Sequence, residues 1–270
     1  MARGLSQFLE GPEIMPANPE IIFKNVYKTY ISDFKRIKTK ALQDLTFQVN
    51  KGEVFGIIGP NGAGKSTALK ALMGFIKYDE GEISLAGFNP SDSDGHQALG
   101  YLPENPSLYD HLSVRDHLWF CGRISNLPKK EIGNRIDEIL SLVDLSNSDK
   151  DRIRSYSKGM TQRAALAYAL FHQPQILILD EPMSGLDPLG RKLVVDIIKE
   201  YNEKGHTILF CSHVLTDVER ICDRIGIMNK GKLVSIISPG DLSKSERSAE
   251  INGVSPLESY FMDTIKHDIQ

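Results

Sequence analysis

An eight-residue segment restricts the folds open to this chain more than any other feature. Residues 59–66 follow the pattern G-x-x-x-x-G-K-[ST], with the sequence Gly59-Pro60-Asn61-Gly62-Ala63-Gly64-Lys65-Ser66. An apolar run from Val54 to Ile58 precedes it, and the helical run Thr67 to Met73, closed by Gly74, follows it. In this context backbone N–H groups converge on phosphate oxygens at a helix N-terminus. The segment therefore predicts a strand, a phosphate-binding loop and a helix.

Two side chains of this loop are expected to act on phosphate and metal. Lys65 reaches the β- and γ-phosphates of a nucleotide, and the Ser66 hydroxyl ligates Mg²⁺. The predicted nucleotide-binding residues of the segment are Gly59, Asn61, Gly62, Gly64, Lys65, Ser66 and Thr67.

A second apolar run ends in two adjacent acids. Residues 176–179 read Ile-Leu-Ile-Leu and are followed by Asp180 and Glu181. Downstream of a phosphate loop, this pattern predicts that Asp180 holds the magnesium shell and that Glu181 polarises water. His213 follows the strand-like run Thr207 to Phe210, which places it at the sheet edge where α/β proteins bind ligands.

The remaining patterns predict an α/β fold with a parallel sheet. Further strands are expected at residues 21–23, 45–49 and 225–228, and helix signals dominate residues 105–170. Within that helical insert Ser113 and Asp116 are spaced as a capping box. Another helix is predicted to begin at Pro188, with Asp187 as its N-cap and Gly205 beyond its end. We therefore expect a parallel sheet interrupted by a helical subdomain.

Composition excludes several classes of protein. The formal net charge of −3 over 270 residues gives no broad basic surface, so we expect no nucleic-acid partner. No apolar stretch approaches the roughly 20 residues of a membrane-spanning helix, and the amino terminus has no secretory core, so a cytoplasmic location is expected. The three cysteines, Cys121, Cys211 and Cys222, form no CxxC and are expected to be reduced packing residues.

Three further motifs accompany the phosphate loop and the acids. They are Tyr30 in Tyr-Lys-Thr-Tyr, the segment Tyr156-Ser157-Lys158-Gly159-Met160, and the loop Ser184-Gly185-Leu186-Asp187. In this combination and order the sequence resembles the nucleotide-binding subunit of an ATP-binding-cassette (ABC) transporter, from about Ile21 to Met262. The resemblance implies a RecA-like P-loop NTPase core, an N-terminal antiparallel β subdomain and a helical subdomain at about 105–170.

The resemblance also implies the roles of the site residues, with ATP and Mg²⁺ as cofactors. Tyr30 would stack on adenine, Glu181 would orient or deprotonate the attacking water, and His213 would hold the γ-phosphate. Ser157 and Gly159 would act on ATP bound by a second ATP-binding subunit, so a homodimer is expected, with Asp187 in the loop beside the site. Transmembrane permease subunits on a separate polypeptide would dock around residues 104–112 and hold the chain at the inner face of the membrane.

Two departures from the family pattern bear on function. Glu104 stands where glutamine is usual, so it is included among the predicted nucleotide and metal contacts together with Ser66 and Asp180. Lys158 and Met160 replace the first glycine and the final glutamine of the signature. Lys158 could reach the γ-phosphate or point to solvent, and we expect the second because glycine serves at this position elsewhere in the family.

With both changes the sequence resembles the bacterial exporter branch of the family, which includes daunorubicin-resistance and sodium-efflux ATPase subunits. We therefore expect an ATP-hydrolysing export motor. The alternatives are an ABC importer ATPase, a soluble ABC ATPase of DNA repair or translation, and a small-molecule kinase or GTPase. The expected organisation is a flexible arm at 1–20, an ABC ATPase domain at 21–240 and a short tail at 241–270.

Overall fold

Two sheets and the helices around them make up the part of the chain that the structure describes. The computed structural model describes residues 19–31, 37–125, 127–244 and 255–268. In chain order its elements are β1 (Pro19–Ile31), β2 (Lys38–Asn50), β3 (Val54–Ile58), α1 (Lys65–Leu72), β4 (Glu80–Leu85), α2 (Ser93–Gln97), β5 (Leu99–Leu102), α3 (Val114–Ile124), α4 (Lys129–Leu142), α5 (Lys158–Leu170), β6 (Ile176–Asp180), α6 (Pro188–Glu203), β7 (Thr207–Cys211), α7 (Leu215–Ile221), β8 (Arg224–Asn229), β9 (Lys232–Ile237), α8 (Pro239–Lys244) and α9 (Pro256–His267).

The first sheet is antiparallel and has the order β2-β1-β4. The strands predicted at 21–23 and 45–49 are confirmed, but β1 and β2 extend to 13 residues each. Buried aromatic rings join this sheet to the next: Phe23 stacks on Phe47 with centroids 4.6 Å apart, and Phe47 stacks on Phe55 of β3 at 5.5 Å. The stack fixes the antiparallel sheet over one face of the second sheet.

The second sheet has the order β5-β6-β7-β3-β8-β9, with β9 antiparallel to β8 and the other neighbours parallel. The strands predicted at 54–58, 176–179, 207–210 and 225–228 are confirmed. Parallel strands end at the same edge of a sheet. The carboxyl ends of β3, β6 and β7 therefore bring the phosphate loop, Glu181 and His213 to one edge.

Local capping signals set the helix boundaries as predicted. The Ser113 hydroxyl accepts a hydrogen bond from the Asp116 N–H, and the Asp116 carboxylate accepts one from the Ser113 N–H, which completes the capping box of α3. Asp187 caps α6 by accepting from the Gly190 N–H at 2.7 Å. Helices α3, α4 and α5 pack on one another between β5 and β6, where the helical insert was expected.

The interior consists of two apolar clusters, one on each face of the six-stranded sheet. One joins that sheet to the antiparallel sheet and α1, and the other joins it to helices that include α3, α4, α5 and α6. The three cysteines are free and buried, as predicted. None of the helices in the described ranges is long and apolar enough to cross a membrane.

Strand β1 begins within the segment that the sequence assigned to the amino-terminal arm. Pro19 and Glu20 belong to β1, and Glu20 is buried because its carboxylate accepts hydrogen bonds from Gln175 and Thr207. Strand β1 thus begins two residues before the predicted boundary at Ile21, where Glu20 makes polar contacts with Thr207 of β7 and with Gln175, the residue before β6. Residues 1–18, the rest of the expected arm, lie outside the described residues.

Candidate nucleotide site

The phosphate loop joins β3 to α1 in the predicted order. Helix α1 begins at Lys65, two residues before the predicted start, with Gly64 as its N-cap at a φ of +106°. A Cβ atom at Gly64 would lie 2.5 Å from the Ala41 carbonyl oxygen, so both the backbone conformation and the space require glycine. The Lys65 ammonium donates to the Gly59 carbonyl at 2.6 Å, which folds the side chain over the loop.

Most of the predicted site residues line one cavity of about 810 Å³ at the edge where the parallel strands end. The structure brings together Tyr30, Gly59, Asn61, Gly62, Gly64, Lys65, Ser66, Thr67, Glu104, Asp180, Glu181 and His213. Tyr30 comes from β1, at the rim of the cavity, and its side chain is partly exposed. The cavity thus combines a loop of backbone donors, two lysines (Lys40 and Lys65), three carboxylates and an imidazole.

Glu181 is held by contacts from the neighbouring strand. Its Oε1 lies 2.7 Å from Nδ1 of His213, and its Oε2 accepts a hydrogen bond from the Ser212 hydroxyl at 3.2 Å. Its backbone adopts a φ of +50°, a left-handed conformation that L-residues with a side chain avoid. Six other non-glycine residues of the described chain share this conformation, so the contacts with His213 and Ser212, rather than the backbone angle, distinguish Glu181.

The cavity carries an excess of negative charge at its acidic end. The pKa of Asp180 is raised to about 6, chiefly by burial and also by the carboxylates of Glu181 and Glu104, while the charge of Lys65 opposes the shift. The described residues hold no preformed cluster of three or more His, Cys, Asp or Glu side chains able to bind a metal. A magnesium ion here would need phosphate and water oxygens besides Ser66 and Asp180, which is the coordination that Mg²⁺ prefers.

The signature segment lies in a different place. Ser157 caps α5, its hydroxyl accepting from the Met160 N–H at 3.2 Å. With Gly159 and Asp187 it lines a second cavity of about 520 Å³ that shares none of its lining residues with the first. Within one chain the structure therefore does not bring Ser157, Gly159 and Asp187 to the phosphate loop.

Lys158 is exposed and also contacts the loop after β6. Its ammonium donates to the Ser184 hydroxyl at 3.3 Å. Its methylene groups cover Gly185, where a Cβ atom would lie 2.5 Å from the lysine Cδ. The side chain is exposed and also packs on the bare backbone of Gly185, a contact that the sequence did not suggest.

Several residues around the first cavity escaped the sequence analysis. Ser212 contacts Glu181, and the buried Gln162 of α5 donates to the Glu181 carbonyl at 3.5 Å. The position of Ser212 directly before His213 was a usable signal, whereas Gln162 gave none. The cavity is also lined by residues that the sequence analysis did not assign to it, namely Thr39, Lys40, Ala41, Leu215 and Phe261.

Comparison with known proteins agrees with this geometry. The family model described as ABC transporter matches residues 42–184, which is more than half of the chain. This chain belongs to the ABC transporter family. The matched part runs from β2 through the phosphate loop and the signature to the loop that contains Ser184.

Individual relatives point the same way. The chain is 44% identical over 216 residues to an uncharacterized ABC transporter ATP-binding protein, sll0415, of Synechocystis, a match covering 79% of this chain and 61% of that relative's length. It is 37% identical over 207 residues to the linearmycin resistance ATP-binding protein LnrL of Bacillus subtilis, covering 76% of this chain and 67% of LnrL.

Among solved structures, the fold is similar to one described as the ATP binding subunit of an ABC transporter. The TM-score is 0.78 at 30% sequence identity, and the match covers 91% of this chain and 99% of that one.

Proposed function

We propose that this chain is the ATP-hydrolysing motor subunit of an ABC transporter, acting on Mg-ATP and energising export through a permease on a separate polypeptide. One observation carries the proposal: the phosphate loop, Asp180, Glu181 and His213 line a single cavity, with Glu181 and His213 in direct contact. Phosphoryl transfer needs positioning and charge neutralisation, and this arrangement offers both.

Each group has a distinct task in that reaction. Lys65 and the amides at the start of α1 neutralise the phosphate oxygens. Glu181 accepts the proton of the attacking water or orients it, and His213 holds the γ-phosphate from the adjacent strand end. The 2.7 Å contact between Glu181 and His213 supports this division, because it fixes the base beside the group that would hold the phosphate. Tyr30, which lines the same cavity, is the residue proposed to stack on the base.

Magnesium fits the acidic end of the cavity. Asp180 is a buried carboxylate with two further carboxylates, Glu181 and Glu104, close enough to raise its pKa, and Ser66 supplies a hydroxyl at the start of α1. The ion would neutralise charge on the β- and γ-phosphates. Asp180 and Ser66 are its proposed ligands, and Glu104 is a further candidate on the same wall.

A second copy of the chain completes the site. Ser157 and Gly159 lie at the N-terminus of α5, which favours an anion, yet they face a different cavity from Lys65. Two copies in opposite orientation would place each signature against the phosphate held by the other copy. The separation of the two cavities supports a homodimer with two shared sites.

Nucleotide is therefore expected to drive dimerisation. The Glu181→Gln chain should be mainly monomeric alone and dimeric with Mg-ATP, because unhydrolysed ATP joins one phosphate loop to the other signature. Light scattering with and without Mg-ATP measures this. Ser157→Arg in the same background is the matched control and should stay monomeric, since arginine fills the phosphate pocket. A monomer at all nucleotide concentrations would contradict the shared-site arrangement.

Export through a partner permease is the second part of the proposal. LnrL is named for linearmycin resistance, and resistance by an ATP-driven transporter is most directly achieved by moving the compound out of the cell. A motor of this kind would work at the cytoplasmic face of the membrane, held there by the permease, with residues 104–112 as the proposed docking segment. Tyr109 in this segment is largely exposed.

The direction of transport is testable in cells. Expression of the chain with its permease should raise the inhibitory concentration of at least one antibiotic in a panel that includes linearmycin. The pair carrying Glu181→Gln should give no protection, because it binds ATP without turning it over. Greater sensitivity in the active pair than in the Glu181→Gln pair would indicate import instead.

A further inference from the structure

Helix α9, near the end of the described chain, is fixed to the main core by one apolar face. Leu257, Phe261 and Ile265 recur at helical spacing; Leu257 is fully buried and the other two are partly buried against the same cluster. The Ser255 hydroxyl caps the helix by accepting from the Glu258 N–H at 3.2 Å. The helix packs against α7 and α8. Its position is therefore set by both capping and burial.

The apolar face of α9 also reaches the nucleotide cavity. Among the described residues that line the cavity, Phe261 alone comes from the chain after Leu215. Leu215 is the first residue of α7, two positions after His213. Phe261 therefore lines the same cavity as Leu215 and His213, and its helix packs against α7, which follows His213.

The far end of α9 is joined to the β8–β9 hairpin by polar contacts. The Asn229 amide donates to the Asp268 carboxylate at 2.7 Å, and the Lys230 ammonium approaches the Asp268 carbonyl at 3.5 Å. Near the middle of the helix the Tyr260 hydroxyl lies 2.9 Å from that of Ser235 on β9. Asn229 is buried, so loss of its acceptor would leave a buried donor unpaired.

That hairpin in turn supports the phosphate loop. The Gly231 N–H donates to the Ala63 carbonyl at 2.8 Å, and the Gly231 carbonyl accepts from the Gln43 N–H at 2.8 Å. The Gly231 Cα lies 3.3 Å from where a Cβ of Gly64 would stand, so the turn and the loop are in close contact. A displacement of the turn would move the backbone donors of the loop.

We propose that α9 is a positioning element of the nucleotide site: Phe261 forms part of its wall beside the His213 segment, and Asp268 holds the hairpin behind the phosphate loop. The proposal rests on the proposed nucleotide-binding function. Binding free energies are reciprocal, so nucleotide must stabilise the docked helix by the same factor by which the docked helix strengthens nucleotide binding.

Titration of Mg-ADP into the 270-residue chain tests whether Phe261 contributes to nucleotide binding. Phe261→Ala is expected to weaken binding about fivefold or more, the lower end of typical coupling between sites. Met262→Ala is the matched control, because Met262 is the next residue and is 51% exposed. This variant should bind Mg-ADP like the parent. If the parent binds Mg-ADP and Phe261→Ala binds it equally well, the proposal is wrong while the proposed function stands. If the parent does not bind, the proposed function itself fails.

Two further measurements separate positioning from mere stability. Asp268→Ala should weaken Mg-ADP binding, whereas Asp268→Asn, which keeps an acceptor for Asn229, should restore it. Amide hydrogen exchange of residues 258–265 in the parent chain should slow when Mg-ADP binds. A purely structural helix would show the same exchange with and without nucleotide and would treat the two Asp268 variants alike in binding, and that result would overturn the proposal.

Discussion

Glu181→Gln is expected to lower ATP turnover by about 10² to 10⁴, the scale for loss of a positioned general base, while ATP binding is retained. The amide keeps the shape of the carboxylate and can still contact Ser212 and His213, but it cannot accept a proton. The side-chain contacts of Glu181 are with Ser212 and His213, and it shares only the cavity with the phosphate loop. The affinity for ATP should therefore change little. Phosphate release and equilibrium nucleotide titration on the same preparation separate the two effects.

Glu200→Gln is the matched control for this substitution. Glu200 lies on α6 in an exposed ion pair with Lys204 at 2.7 Å, and such pairs contribute little to stability. Its turnover should equal that of the parent. Turnover of Glu181→Gln within threefold of the parent would remove the assigned role and leave water activation to another group.

Short-range signals explain which parts of the fold could be predicted. The phosphate loop, the capping box at Ser113 and Asp116, and the cap of α6 at Asp187 each depend on residues within a few positions of one another. Strands β3, β6 and β7 could also be predicted from the sequence, because strands buried on both faces are continuous apolar runs. These elements place the site residues at one sheet edge, so most of the site followed from the sequence.

Strands β4 and β9 were missed for a physical reason. Strand β4 reads Glu-Gly-Glu-Ile-Ser-Leu, with three exposed residues at its start, and β9 is only partly buried along its length. Both are held by ladder hydrogen bonds to a neighbour rather than by an apolar run of their own. A pattern of hydrophobicity cannot report β4, since its partner β1 lies far away in the sequence. Strand β9 pairs with the adjacent β8 across the turn at Lys230 and Gly231, but its weak burial gives no clear apolar pattern.

The contacts that refine the site are also long-range. The packing of Lys158 on Gly185 depends on α5 meeting the loop after β6, and the pairing of Asp268 with Asn229 depends on where α9 docks. For Lys158 the sequence offered two directions for an isolated side chain. The packing on Gly185 requires a neighbouring loop whose position only the folded chain supplies.

Lys65→Ala is expected to weaken ATP binding and to lower turnover by about 10² to 10³, the scale for removing one preorganised donor to a developing charge. Lys65 is the only cationic side chain of the phosphate loop, and its ammonium lies over the loop carbonyls of Gly59 and Pro60, within reach of a bound phosphate. Without it the acidic end of the cavity, where Asp180 already has a raised pKa, would repel the nucleotide more strongly. Lys199→Ala, an exposed position on α6 that does not line the cavity, controls for loss of a charge and should bind ATP like the parent. Nucleotide titration and phosphate release measured on both variants decide the matter, and an unchanged affinity in Lys65→Ala would mean that the loop amides alone hold the phosphates.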